Sequence, residues 1–295
     1  PIFASLHKDK ETSTPRLGGL LIWVTTLVLT YIFWALATIT ANPLLDKINF
    51  LSRNQTWLPL FTLVSASLLG LADDLLQIFQ RGGYVAGGMK FRVRLFAVLL
   101  IALAGAYWFY FRLGQNSIYI PGLGDIFIGF WFIPLFVIVM LATFSTGVID
   151  ALDGLSGGVF AAIFGAYAGI AFFRGQIDLA AFAGVIIGSL LAFLWFNIPP
   201  ARFYMSETGI LGLTTTLTVI AFLTNSVVVL TIIAIVTAVE AGSVIIQLLS
   251  KRWRDGKKVF LVAPLHHHFE AKGWPPYKVT MRFWVASVVF AVIGM

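Results

Sequence analysis

Residues 126–172 read IFIGFWFIPLFVIVMLATFSTGVIDALDGLSGGVFAAIFGAYAGIAF. Two apolar runs, each long enough to cross a bilayer, flank the polar turn GVIDALDGLSGG at 147–158. Neither run carries a charge, although a helix on the surface of a soluble domain shows a charged or polar face. The stretch therefore reads as two membrane helices joined by a bend, with Asp150 and Asp153 at the bend.

The same pattern extends in both directions. Nine such runs are expected, at roughly 17–38, 57–76, 95–113, 126–147, 155–172, 179–196, 209–224, 226–249 and 280–295. Pro134 lies inside the fourth and predicts a kink there. The fold class is all-α, a polytopic membrane helix bundle, and residues 1–295 read as one integral membrane domain. Composition agrees: 59% of the 295 residues are hydrophobic and 11% are charged, against about 25% charged in a soluble domain. The mean hydropathy is +0.92. These values exclude a soluble enzyme, a disordered chain and a nucleic-acid-binding domain. The absence of Cys excludes disulfides, thiolate metal sites and a Cys nucleophile.

Numbering the loops alternately sorts the cations. Only Lys47, Arg53, Arg112 and Arg174 of the 20 Lys and Arg fall on one side; the rest fall on the other. The positive-inside rule makes the basic side cytoplasmic. The net charge of +7 thus follows topology and implies no nucleic-acid partner. Residue 1 is Pro, and a further span before it would place both termini outside.

Most acidic residues fall on this same basic face, at the ends of apolar runs. A carboxylate near hydrocarbon is expensive unless paired or metal-bound, so each is a candidate for function. Carboxylates converging beside cations suit a phosphate ester or diphosphate with bridging Mg²⁺, a hard ion that takes oxygen ligands. Asp73 and Asp74 end the second run, in GLADDLLQ. Asp150 and Asp153 are three apart, a spacing that puts both on one helical face. Asn197, Arg202, Tyr204 and Glu207 follow in FLWFNIPPARFYMSETG, where Pro199-Pro200 turns the chain out of the membrane. Arg202 suits a phosphate, Tyr204 a base stack, and Glu207 either a metal or the start of a helix. His266, His267 and His268 lie in APLHHHFEAKGWPP; three consecutive His cannot share one helical face, so a loop is expected. Glu240, within the eighth run, reads as a residue that hydrogen-bonds a neighbouring helix.

Taken in order, these strings resemble the phospho-N-acetylmuramoyl-pentapeptide-transferase (MraY) family of the polyprenyl-phosphate N-acetylhexosamine-1-phosphate transferase superfamily. HKDKETSTPRLGG at 7–19 is similar to the family's basic segment ending in TP-x-x-GG, and Asp73-Asp74 to its aspartate pair. DALDGL resembles DGLDGL, MSETG resembles MGDTG, and VEAGSVIIQ resembles the family segment before the histidines. APLHHHFEAKGWPP is nearly verbatim the family's histidine loop and favours this family over its GlcNAc-1-phosphate relatives.

The resemblance implies ten spans, of which this chain would hold the last nine. It implies a Mg²⁺-dependent, dimeric enzyme of the bacterial inner (cytoplasmic) membrane, its active site facing the cytoplasm. The enzyme would move phospho-MurNAc-pentapeptide from UDP-MurNAc-pentapeptide to undecaprenyl phosphate, giving lipid I and UMP. By motif, Asp73 is similar to the catalytic aspartate, with Asp74 beside it, and Glu207 stands where the family binds Mg²⁺. Asp153, Asn197 and Tyr204 match the uridine pocket, and Asp150 belongs to the same substrate-binding string. The three His match the loop near the diphosphate. Lys10 approximates a lysine near the nucleotide, and Lys90-Phe91-Arg92 or Arg92-Val93-Arg94 matches a basic R-x-K element. The sequence departs from the pattern at Gly147 (Asn in the family), Ala151 (Gly), Gln77 (Lys), Ser206 (Gly), Glu207 (Asp) and Ile210 (Ser). A sister GlcNAc-1-phosphate transferase, a catalytically inactive paralogue acting as a scaffold, and a transporter with broken helices are the rival readings.

Overall fold

The computed structural model describes residues 14–40, 46, 49, 51, 57–83 and 88–295. Helix α1 is Gly19–Thr40, α2 is Trp57–Ile78 and α3 is Phe91–Tyr107, extended by a π turn at Trp108–Arg112. A hairpin of β1 (Ser117–Ile120) and β2 (Gly124–Phe127) follows, antiparallel, with Ser117 opposite Phe127. Then come α4 (Phe132–Ser145), α5 (Leu155–Phe173), α6 (Ile177–Asn197), α7 (Ser206–Leu223) and the single turn α8 (Leu230–Ile233). The chain ends with α9 (Ile235–Trp253), α10 (Leu265–Ala271) and α11 (Pro276–Gly294).

Eight segments among the described residues, each of 18–22 residues, are long and apolar enough to cross a bilayer. The chain is a multi-pass membrane protein. Its outer faces carry exposed Phe61, Phe96, Ile138, Trp195 and Val292, side chains that belong against lipid tails. Pro134 lies where one span, Gly129–Ile149, changes from 3-10 to α-helix. It falls in the first turn of α4, just after a 3-10 turn at Gly129–Trp131, where its missing N–H breaks no helical hydrogen bond.

The eighth expected run departs further. Residues 226–249 are not one uniformly apolar helix: the chain turns at Ala234 between α8 and α9. Helix α9 buries Glu240, Ser243, Gln247 and Ser250, at spacings of three and four, while Ile245, Leu248 and Trp253 are exposed. Its polar stripe faces protein and its apolar stripe faces outward. The apolar residues of 226–239 and of 244–249 make the run read as a span, although α9 is less apolar than the other long helices.

Helix α7 is the centre. From Thr208 to Leu223 every residue is buried, which is the signature of a helix surrounded by others. Its threonines satisfy themselves: Thr214 and Thr215 donate to carbonyls one turn back, and Thr143 of α4 meets Thr218 at 2.6 Å. Helix α2 packs along α7 most extensively, α5 packs on α6, and α1 closes on α6 and α7. At one end of the bundle Phe109, Phe132, Phe136 and Phe222 interlock, Phe136 and Phe222 with ring centroids 4.7 Å apart. Asn225, just past α7, bonds Tyr119 N and Asp125 there, fixing the hairpin. At the other end the starts of α1, α5, α7 and α11 meet the ends of α2 and α6.

The α2–α7 crossing depends on Gly70. A Cβ there would lie 2.1 Å from the backbone carbonyl oxygen of Glu207. Small residues are what allow membrane helices this close. Gly70→Ala is expected to push the two helices apart and lower stability by about 1–3 kcal/mol, read as a lower unfolding midpoint in detergent. An unchanged midpoint would show that the helices are not packed this tightly.

Candidate active site

A cavity of about 390 Å³ opens at the end where these helix termini meet. Asp74 and Gln77 line it from α2, Asp150 and Asp153 from the α4–α5 turn, and Asn197 from the end of α6. Tyr204, Ser206 and Glu207 line it at the start of α7, and His267 and Glu270 from α10.

The start of α7 organises this wall. The first amides of a helix lack intrahelical acceptors, and Met205 before it offers no oxygen to cap them. Asp150 accepts from Ser206 N at 2.9 Å, while Asp74 accepts from Thr208 N at 2.9 Å and from Glu207 N at 3.3 Å. Carboxylates are favoured here by the helix dipole as well. Asp150 also accepts the Ser156 hydroxyl at 2.6 Å. Burial pushes the Asp150 carboxyl up to about 6; the Ser156 and Ser206 hydrogen bonds oppose that rise, and the Glu207 charge adds to it.

Asp73 points away from Asp74 and is not among the residues lining the cavity. It accepts from Met89 N, from Arg94 at 3.2 Å and from Gln77 at 3.5 Å. Arg94 also donates to Glu207, so one guanidinium joins Asp73 to the acid on the cavity wall. Arg16, another wall residue, donates to Gln77. A basic residue from α1's approach therefore reaches the position where the family motif has Lys.

Asn197 and Asp153 hold the backbone around the cavity. Asn197 accepts from Gly154 N at 2.9 Å and donates to Phe203 O at 2.8 Å; Asp153 accepts from Ala201 N at 3.1 Å. Asp150 and Asp153 do reach one cavity, but through a turn rather than along a helical face.

The histidines are not in a loop. Pro264 starts the short helix α10, and three successive positions on it send the rings three ways. His266 bonds Glu240 of α9, His267 bonds Glu270 at 2.6 Å, and His268 accepts from Leu261 N at 3.1 Å. Only His267 of the three lines the cavity. Burial, with Lys272 nearby, lowers the His268 pKa.

Lys90 and Arg92 lie exposed at the first turn of α3 and are not among the residues lining the cavity. Of the two alignments of the basic element, the one ending at Arg94 reaches the site. The signal for it was periodicity: Arg94 precedes Val98, Ala102 and Ala106 at steps of four, the buried stripe of α3. Arg16, Gln77 and Glu270 were also not singled out as site residues. Lys10 lies outside the described residues.

Comparison with known proteins fits this geometry. The family model for glycosyl transferase family 4 matches residues 56–225. A phospho-N-acetylmuramoyl-pentapeptide-transferase of Geobacillus sp. (strain WCH70) is 35% identical over 97% of this chain and 84% of its own length. Namesakes from Oceanobacillus iheyensis and Pelagibacter ubique are 36% and 33% identical, over 84% and 81% of their lengths. The chain belongs to glycosyl transferase family 4, and within it to the phospho-N-acetylmuramoyl-pentapeptide-transferase family.

The family 4 match spans the aspartate pair, the α4–α5 turn and the start of α7, the three elements that build most of the wall. One of them is under backbone strain. Ser206 has φ +58°, a left-handed conformation where the family motif has Gly. A side chain in this region costs about 1–2 kcal/mol. Ser206→Gly is expected to raise the unfolding midpoint by relieving about 1 kcal/mol. A lower midpoint would mean that the Ser206 hydroxyl contributes more than the strain removes.

Proposed function

We propose that this protein transfers phospho-MurNAc-pentapeptide from UDP-MurNAc-pentapeptide to undecaprenyl phosphate, releasing UMP and forming lipid I. One observation carries the reading: acids, amides and a cation from four helices, the α4–α5 turn and the approach to α1 meet in one cavity at an end of the bundle, in a chain whose relatives bear this activity's name. Both substrates are anions, one soluble and one lipid-borne. A cavity at the end of a membrane bundle gives them a common place to meet. The same reading puts the cavity at the cytoplasmic face of the bacterial inner membrane, where the basic loops lie, and makes the protein a homodimer.

The donor set fits Mg²⁺. Asp74 and Asp150 are committed to the amides of α7. Glu207 is held by the movable Arg94 side chain, which also reaches Asp73; Asp73 accepts in addition from Met89 N and Gln77. No close group of three or more His, Asp or Glu is present among the described residues. That suits Mg²⁺, which commonly takes one or two carboxylates and completes its shell with water and substrate phosphates. Held by Glu207, the ion would neutralise the diphosphate.

The protein's own groups do the rest. Arg16 lies on the wall where diphosphate charge must be balanced. Arg94 keeps the two carboxylates together before substrate enters. Asn197 and Asp153 hold the 197–205 turn so that Tyr204 faces the cavity as a surface for the base. Helix ends held by backbone hydrogen bonds keep these groups in place, which is how positioning lowers a barrier. Asp73 either takes a proton from the lipid phosphate or attacks the diphosphate itself; trapping of an aspartyl-phosphate adduct would select the second route.

The test is UMP release by purified protein in detergent, with both substrates and Mg²⁺, against chelator and no-lipid controls. Lipid- and metal-dependent UMP is the expected result. UDP-GlcNAc accepted in place of UDP-MurNAc-pentapeptide would overturn the substrate assignment. Asp73→Asn is expected to abolish release without altering the unfolding midpoint; near-wild-type turnover would remove Asp73 from the chemistry. Glu207→Gln is expected to move the Mg²⁺ titration to higher concentration, and an unchanged titration would take Glu207 out of the metal site.

A further inference from the structure

Glu240 is fully buried, and so is His266. The two make a double contact. Glu240 Oε1 accepts from the His266 backbone N–H at 3.0 Å, and Oε2 lies 2.7 Å from His266 Nδ1. The first bond caps α10, whose preceding residue, Pro264, has no side-chain oxygen to do so. The second acts on the ring. A carboxylate can only accept, so it selects the tautomer with the proton on Nδ1 and leaves Nε2 with a free lone pair. Nε2 is buried and has no hydrogen-bond partner among the described residues.

The ring of His266 meets that of His267 edge-on, with centroids 4.1 Å apart. His267 lines the cavity. A chain of contact thus runs from Glu240 through His266 to the cavity wall. It is also firmly mounted: farther along the same polar stripe, Gln247 takes the amides of Val259 and Phe260 at 3.0 Å, and Ser250 donates to Lys257 O at 2.9 Å.

We propose that Glu240 is a positioning residue for the transfer reaction, fixing His266 as the Nδ1–H tautomer with its buried Nε2 left as an acceptor. A buried acceptor without a partner is costly to keep, and the His266 ring bears edge-on against His267, the histidine that lines the cavity, so the state of one ring is felt by the other. The catalytic part of the proposal rests on the transferase reading; the tautomer does not.

The experiment has two arms. The chain has only four His, so ¹⁵N-histidine labelling of the full protein resolves the tautomers by NMR. His266 is expected to carry its proton on Nδ1 in the wild type; a proton on Nε2 would overturn the proposal whatever the activity. Glu240→Gln then separates positioning from support. Its amide oxygen can still accept from the His266 N–H, but its NH₂ must donate to Nδ1, moving the ring proton to Nε2. Both hydrogen bonds survive, so a purely structural role predicts an unchanged kcat. The proposal predicts a fall in kcat of at least about tenfold, with KM for the nucleotide substrate unchanged. Glu240→Asp keeps the carboxylate and is expected to keep the Nδ1–H tautomer and more activity than Glu240→Gln. Wild-type kcat in Glu240→Gln with the tautomer inverted would sink the proposal. Absence of UMP from the wild type would count against the transferase reading, and the NMR arm would still decide the tautomer.

Discussion

Helix α7 starts inside the protein, and its first amides have to be satisfied there. Two carboxylates from different parts of the chain do this, Asp74 from α2 and Asp150 from the α4–α5 turn. Each hydrogen bond is also a tether. Asp74 fixes how far α2 extends past α7, and Asp150 fixes the turn before α5. Tyr204 N, two residues before α7, donates to Pro15 O, and Gly18 and Gly19 return amides to Tyr204 and Met205. The entry to α1 is thus bound to the same point. The cavity is what remains between elements that all converge on one helix end. Its geometry needs no flexible loop to assemble it.

This division explains why adjacent aspartates have different surroundings. Asp74 is turned towards α7, and each of its oxygens accepts an amide of that helix. Asp73 is turned towards Arg94 of α3 and the amide of Met89, with Gln77 of its own helix one turn on. Side chains can be displaced at modest cost, whereas a buried helix start cannot lose its acceptor without leaving orphaned donors. The two adjacent acids therefore separate into one tied to the backbone of α7 and one held mainly by side chains that can move.

The bundle was legible in the sequence because lipid leaves little choice: apolar runs of span length must be helices. The carboxylates were legible because they are costly at a membrane boundary. What was not legible depended on orientation. Helix α9 lies in a run that reads as a span, but Glu240, Ser243, Gln247 and Ser250 share a face that holds the following segment, and only the presence of that segment makes a buried polar stripe stable. The histidines were expected in a loop because their side chains diverge. In fact divergence is compatible with a helix once each ring has its own partner, and those partners come from three separate places. Arg94 was separable from Arg92 only by asking which of them falls on the buried stripe of α3.

The departures from the family pattern look different once they are placed. Gly147 lacks the side chain of the family's Asn, and a Cβ at that position would lie 3.3 Å from Ile210 Cγ1. Ile210 is itself a replacement, standing where the motif has a smaller Ser. The two changes are complementary: the larger residue on α7 occupies room given up by the smaller one in the turn. Gln77 replaces a Lys, and the Arg16 guanidinium reaches it from across the cavity, so a cation is retained at that wall although its carrier has moved. Glu207 is longer than the family's Asp, and its extra reach ends at Arg94. Random loss of function would remove volume and charge without regard to neighbours. Here the changes at Gly147, Ile210 and Gln77 are matched by a neighbour that restores packing or charge, whereas Ser206 keeps its strain and nothing in the structure compensates Ala151.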